Sequence, residues 1–174
     1  NYYDNVDGNA NRTKFRIRWY DHIFGLVSKP VLELKIKRSL LGRKESHKLV
    51  PLDFNNKFDR RKFSQLFQES ALPELLTDQL KSFIPVLLNS YTRKYYQSSD
   101  RSYRITIDTN QQFFRIGTQN NNFHFRIPDN RNVILELKYD NTHDDDAELV
   151  TNQFPFRLTK SSKYVTGVEK LYGI

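Results

Sequence analysis

The chain has 174 residues, of which 28 are Lys or Arg and 20 are Asp or Glu, so its formal net charge at pH 7 is +8. It contains no cysteine, which excludes disulfide bonds, thiolate nucleophiles and cysteine metal sites. No apolar run approaches the roughly 20 residues needed to span a bilayer, and no signal peptide is visible. We therefore expect one domain in the cytoplasm, or at the cytoplasmic face of a membrane through segments absent here. Its charge predicts an anionic partner such as a phosphate compound, nucleic acid or an acidic membrane.

The first third of the chain predicts strands at 13–20, 31–38 and 46–52. Residues 1–11 are polar and predict a loop or the edge of a strand. The stretch 25–30 reads as a connection that ends at Pro30. Gly42 marks the predicted turn of a hairpin.

The apolar spacing changes at residue 57 and predicts a helical insert over 57–85, between two strand-rich halves. Residues 87–96 are ambiguous and predict either a strand, from their composition, or a strand that follows a helical turn. Further strands are predicted at 101–109, 111–117, 122–127 and 132–139, with turns at 109–112 and 119–122. Helices are expected to start in 141–150 and to close the chain. This order predicts an α+β fold with a mainly antiparallel sheet.

Charge alternates with apolar residues at a period of two in KFRIRWY (14–20), LELKIKR (32–38), SYRITID (102–108) and ILELKY (134–139). Successive side chains of a strand point to opposite faces, so Arg16 and Arg18 share one face while Phe15 and Ile17 lie on the other. For one strand the ordinary interpretation is a face exposed to water. Lys and Arg recur on strand after strand, however, and this favours a shared basic surface.

If these strands curl into a barrel with helices outside, the charged faces line its interior. Such an interior is self-repelling and costly to desolvate unless an anion such as a triphosphate balances it. Glu33 and Glu136 would partly neutralise the cations or hold a divalent metal. Aromatics such as Phe15 and Trp19 fall on the opposite face, which argues against stacking on bases and hence against nucleic-acid binding.

Five segments, in this order, resemble the VTC-type polyphosphate polymerase domain of the triphosphate tunnel metalloenzyme superfamily. They are KFRIRWYD, LELKIKR with GRKESHK, SYTRKYY with SYRITIDT, VILELKYD, and RLTKSSKYVTG. The resemblance covers nearly all the chain outside the helical insert and implies a single domain over 1–174. It also implies a further tunnel strand before residue 1, so we expect that strand to be missing here.

The resemblance implies an antiparallel β-tunnel with helices packed outside. It implies transfer of the terminal phosphoryl group of ATP, or of another nucleoside triphosphate, to a growing polyphosphate chain, with Mn²⁺ or Mg²⁺ bound. Eight cations are then expected to bind phosphates: Arg16, Arg18, Lys35, Lys48, Arg93, Arg104, Lys160 and Lys163. Lys44 is an alternative to Lys48, because the turn before them is one residue longer than in the family. Glu136 would bind the metal, Tyr91 would contact the base, and Ser162 would help to close one mouth of the tunnel.

Two other functions remain open at this stage. Water could replace the acceptor phosphate in the same tunnel, which would make the domain a triphosphate or polyphosphate hydrolase. A non-catalytic domain that binds polyphosphate or inositol phosphates would need the cations but not Glu136. The sequence does not distinguish these from the polymerase, since all three place a polyanion in the same space.

Overall fold

The computed structural model describes residues 2–39, 41–117, 121, 123 and 125–174. The strands are β1 (Asn11–Arg18), β2 (Gly25–Val27), β3 (Val31–Arg38), β4 (Leu41–Lys48), β5 (Leu52–Phe54), β6 (Leu87–Gln97), β7 (Tyr103–Arg115), β8 (Arg126–Asp129) and β9 (Ile134–Tyr139). The helices are α1 (Tyr2–Val6), α2 (Arg60–Glu69), α3 (Glu74–Lys81), α4 (Asp144–Thr151) and α5 (Lys163–Tyr172), and a short 3-10 turn precedes α4. None of the described helices is both long and apolar enough to cross a membrane.

All strand pairing in the described residues is antiparallel. The first sheet has the order β1-β3-β4, and β2 pairs with β5 in a small second one. In the third sheet β7 pairs with β6 along one edge and with both β8 and β9 along the other. The predicted mixed α+β class is thus confirmed. The sheets do not close into a barrel within the described part of the chain, so the tunnel itself is not confirmed.

One apolar core joins the first and third sheets to the helices of the insert. Leu32 and Leu34 of β3 are buried together with Leu66 of α2 and Leu80 of α3. Leu88 of β6 contributes from the third sheet. The apolar face of the first sheet therefore packs against this core with α2 and α3, as the alternation predicts, and its basic face points away from the core.

Several predictions for the first half of the chain are wrong. Tyr2–Val6 is helical, and β2 forms where only a connection was expected. The hairpin turns between Arg38 and Leu41, before Gly42, which lies in β4 opposite Lys37. Ser39 supplies the positive φ of this tight turn, at 53°, so glycine is not needed there. The predicted strand at 46–52 is consequently replaced by β4, at 41–48, and the separate β5.

The second half differs mainly at 109–112, where a bulge replaces the predicted turn. The pairing with β6 shifts there, Asn110 takes a φ of 52°, and β7 continues unbroken to Arg115. The ambiguous residues 87–96 belong to β6, and β8 lies later than the strand predicted at 122–127. The predicted turn at 119–122 falls almost wholly outside the described residues.

Helix α5 packs on the face of the third sheet that is turned away from the core. Ser162 caps its start by accepting a hydrogen bond from the Val165 N–H, and Gly173 ends it with a φ of 68°. A Cβ at Gly167 would lie 2.6 Å from Phe113 Cδ1 and 2.9 Å from Leu87 Cδ2. Glycine here allows the helix to approach the sheet closely, which places the start of α5 over β6 and β7.

We predict that Gly167→Ala lowers the free energy of unfolding by about 1–2 kcal/mol, because overpacking against the buried Phe113 outweighs the better helix propensity of alanine. Urea denaturation at pH 7 measures the difference. Gly42→Ala is the control, since a Cβ there meets no atom within 4 Å. Equal stability of the two variants would contradict the close packing of α5.

Candidate anion-binding site

The register of the first sheet collects basic side chains on one face. Arg16 lies opposite Glu33, and Lys14 lies opposite Lys35, which in turn lies opposite Lys44. This basic face carries Arg12, Lys14, Arg16, Arg18, Lys35, Lys37, Lys44 and Lys48, with Glu33 as the one acidic residue in these rows of the sheet. Its net charge is therefore strongly positive.

Glu33 is buried and holds three cations of this face. Arg16 donates from Nε at 3.0 Å and also from Nη2, while Arg18 Nη2 lies at 3.2 Å and Lys44 Nζ at 2.9 Å. Burial by itself raises the pKa of Glu33, but the hydrogen bonds from Lys44 and Arg16 and the nearby charges lower that pKa to about 2. Glu33 therefore stays ionised and orients these cations.

A second buried carboxylate, Asp108, organises the third sheet in the same way. Arg93 donates two hydrogen bonds to it, from Nε at 2.5 Å and from Nη2 at 2.7 Å, and Lys163 Nζ lies 2.5 Å from Oδ2. Burial raises the pKa of Asp108, but the bonds from Arg93 and Lys163 outweigh it and the pKa is lowered overall. The bond to Asp108 also raises the pKa of Arg93. This network fixes the start of α5 on the sheet.

Tyr91 lies beside the Asp108 network. The Arg93 guanidinium is 5.2 Å and the Lys163 ammonium 4.7 Å from the centre of its ring. Both contacts fall within the range of cation–π attraction. Tyr91 thus helps to position these two cations, and its contact with a base stays a prediction.

The two basic regions meet at a cavity of about 480 Å³, which we call the hollow. Its charged lining among the described residues consists of Asp21 and six cations: Arg12, Lys14, Arg16, Arg18, Arg93 and Lys163. Lys14 lies 5.4 Å from the ring centre of Tyr164, and the charge of Arg16 acts on Tyr91. Apolar side chains, including Phe63 and Phe83, line the remainder. A cavity with this lining attracts anions.

Lys14 is a site residue that the sequence analysis missed. It is half-buried, and burial, followed by the charges of Arg16, Lys35, Lys163 and Arg12, lowers its pKa to about 8. The signal was present, because Lys14 precedes Arg16 by two residues and so shares its face. Asp108 could have been found in the same way from its spacing to Arg104.

The structure brings together six of the predicted binding residues and leaves others apart. Arg16, Arg18 and Lys44 meet at Glu33, and Arg93, Lys163 and Tyr91 meet near Asp108. Lys35 is exposed beside Lys14 on the basic face.

Three of the predicted phosphate-binding cations and one predicted hydroxyl are not part of the clusters at Glu33 and Asp108. Lys48 is at the exposed end of the basic face opposite Val31, Arg104 is exposed between Gln97 and Lys138, and Lys160 is exposed before α5. The Ser162 hydroxyl serves as the helix cap described above.

Glu136 offers a single carboxylate for the predicted metal. It lies opposite Thr106, whose buried Oγ1 has no hydrogen-bond partner, and it forms an ion pair with Lys138 at 3.4 Å. No group of three metal-binding side chains occurs among the described residues. Mg²⁺-type ions are often held by one carboxylate together with phosphate oxygens. A divalent ion at Glu136 would therefore need phosphate oxygens as further ligands, and the metal stays a prediction.

Fold and site together define a mixed α+β domain with antiparallel sheets and a basic cavity. The family model of the VTC domain matches residues 1–172, so the chain belongs to the VTC domain family. This match confirms the resemblance seen in the sequence and links the chain to polyphosphate metabolism. No curated protein matches the chain.

Proposed function

We propose that this domain is an ATP-dependent polyphosphate polymerase domain that binds phosphate chains in the hollow. The observation that carries the proposal is the charge of the hollow, where six cations from β1, β6 and α5 line one cavity together with apolar side chains. Glu33 and Asp108 hold several of these cations in place through ion pairs. Membership of the VTC family supports polyphosphate as the ligand.

Phosphoryl transfer requires positioning and neutralisation of charge more than covalent help from the protein. In the proposed reaction, a terminal oxygen of the polyphosphate acceptor forms a bond to the γ-phosphorus of ATP. The bond between that phosphorus and the β–γ bridging oxygen breaks, and ADP leaves. No serine, cysteine or aspartate nucleophile is needed for this step.

The residues of the hollow suit these tasks. Arg16 and Arg93 can each offer a planar guanidinium to phosphate oxygens, and their buried carboxylate partners already fix their orientation. Lys163 adds a compact charge at the start of α5, where the positive end of the helix dipole adds to it. When bound through Glu136 and phosphate, Mn²⁺ or Mg²⁺ would supply further neutralising charge on the third sheet, since Glu136 lies outside the lining of the hollow.

Incubation of the full chain with ATP, Mn²⁺ and a short polyphosphate primer tests the proposal. We expect polyphosphate longer than the primer on a gel, together with ADP. Release of inorganic phosphate alone would instead identify a hydrolase. A protein that leaves ATP intact and yet binds polyphosphate would be a binding domain.

We predict that Arg16→Gln lowers the rate of polyphosphate synthesis by at least about tenfold, because one charge-assisted phosphate donor is lost. Glu33 keeps Arg18 and Lys44 as partners, so the fold should persist. Arg43→Gln is the matched control. Arg43 lies on the face of the first sheet opposite to the basic face, its side chain is 78% exposed, and it pairs with Glu45. A similar rate for both variants would exclude Arg16 from the site.

Non-catalytic binding of polyphosphate or inositol phosphates is the second candidate function. One observation favours it: Glu136, the carboxylate expected to hold the metal, is half-exposed and already paired with Lys138. Glu136→Gln separates the two functions. Loss of polyphosphate synthesis with retained polyphosphate binding supports the enzyme. If the variant keeps every activity that the wild-type chain shows, the binding domain is supported.

A further inference from the structure

Lys14 occupies an unusual electrostatic position in the wall of the hollow. The charged groups that act on it are Arg12 and Arg16 of its own strand, Lys35 of β3 and Lys163 of α5, and all four are cations. The carboxylates of the described residues form no ion pair with Lys14. It is half-buried, with its ammonium against the ring of Tyr164.

The charges of the neighbouring cations are partly neutralised by buried carboxylates. Glu33 neutralises part of the charge of Arg16, Arg18 and Lys44, and Asp108 does the same for Arg93 and Lys163. Lys14 lies between these two networks. At Lys14 the positive charge of the hollow is therefore not balanced by an ion pair with a carboxylate of the described residues, and an anion placed there would gain from the neighbouring cations.

We propose that Lys14, with Lys35 and Lys163, forms a further subsite that binds one phosphate group of a polyphosphate chain. This inference rests on the proposed function and adds to it the point where the chain meets the first sheet. The Lys35 side chain is exposed next to Lys14, and Lys163, which pairs with Asp108 at the start of α5, is close enough for its charge to act on Lys14. The ring of Tyr164 lies beside the Lys14 ammonium, with its centre 5.4 Å away.

A phosphate at this subsite changes the protonation of Lys14. Without an anion, burial and the surrounding cations lower the pKa of Lys14 to about 8. A phosphate oxygen nearby favours the ammonium form and raises that pKa again. The other groups that face Lys14 are Arg12, Arg16, Lys35, Lys163 and Tyr164, and burial raises the pKa of the Tyr164 phenol, which keeps it neutral. Binding of polyphosphate above pH 8 should therefore take up a proton at Lys14.

Calorimetric titration of the full chain with inorganic tripolyphosphate tests this inference. Titrations at pH 8.5 in two buffers with different ionisation enthalpies give the number of protons taken up. We expect Lys14 to take up about half a proton or more at this pH and almost none at pH 6.5, measured as the excess over a chain whose residue 14 does not titrate, because the phosphates of the ligand also exchange protons on binding. A parallel titration with ATP shows whether the nucleotide's phosphates use the same subsite.

Three variants isolate Lys14. Lys14→Gln should weaken tripolyphosphate binding about tenfold and abolish this excess proton uptake. Lys14→Arg keeps a permanent charge, so it should retain affinity and still lose the uptake. Lys94→Gln removes an exposed lysine from the face of β6 opposite to that of Arg93. Its tripolyphosphate affinity and its proton uptake should equal those of the wild-type chain.

The outcomes distinguish this inference from the proposed function. If the wild-type chain binds tripolyphosphate and Lys14→Gln binds as tightly as Lys94→Gln, the subsite is refuted while the proposed function stands. If Lys14→Arg still takes up the proton, Lys14 is not its source and the inference fails. If the wild-type chain does not bind tripolyphosphate, the proposed function fails as well.

Discussion

Replacement of Asp108 by asparagine is expected to lower the free energy of unfolding by about 3 kcal/mol. Asp108 is 1% exposed and is the carboxylate partner of both Arg93 and Lys163, whose side chains are 22% and 20% exposed. Its loss leaves two largely buried cations close together without their counter-charge. Urea denaturation at pH 7 measures the effect.

Asp78→Asn is the matched control for this variant. Asp78 also forms a short ion pair, with Lys81, but both side chains are about 60% exposed. Exposed pairs of this kind contribute about 0–1 kcal/mol. If both variants lose equally little stability, the Asp108 network does not secure α5 to the sheet.

The second large effect concerns Glu33 and should depend on pH. The pKa of Glu33 is about 2 in the folded protein and 4.5 for an ordinary glutamate, so its ionised form stabilises the fold above pH 4.5. This contribution is lost as the pH falls towards 2. Glu33→Gln should therefore cost roughly 3 kcal/mol at pH 7, and the difference from wild type should shrink in acid.

Urea denaturation of wild type and Glu33→Gln between pH 7 and pH 2.5 measures this difference. Glu45→Gln is the control, because Glu45 lies on the other face of β4 and is 29% exposed. Its difference from wild type should remain small at every pH. A pH-independent gap for Glu33→Gln would show that packing rather than charge accounts for its contribution.

The sequence predicted the faces of the strands better than their ends. The period-two alternation placed Arg16 and Arg18 on one face and Phe15 and Ile17 on the other, and the packing of that apolar face beneath α2 and α3 agrees. Turn residues were a weaker guide. Gly42 was taken as the turn, whereas Ser39 adopts the positive φ, because a single serine can occupy that region at modest cost when the surrounding sheet determines it.

Only part of the candidate site was predicted from the sequence. Arg16, Arg93 and Lys163 were expected from the resemblance, and they do line the hollow. Lys14 and Asp108 were passed over, although each lies two or four residues from a predicted cation on the same face. Their importance depends on neighbours from other strands and from α5, and alternation along one strand carries no information about those neighbours.

The sequence by itself determined the basic charge, the α+β order of elements and the side of each strand on which its cations lie, since these follow from composition and from contacts between near neighbours. Only the tertiary structure decided that Glu33 collects Arg16, Arg18 and Lys44, and that α5 brings Lys163 to Asp108. Register and helix docking join residues far apart in the chain. They are set by the burial of shared apolar faces, and that burial exists only once the sheets and helices have packed together.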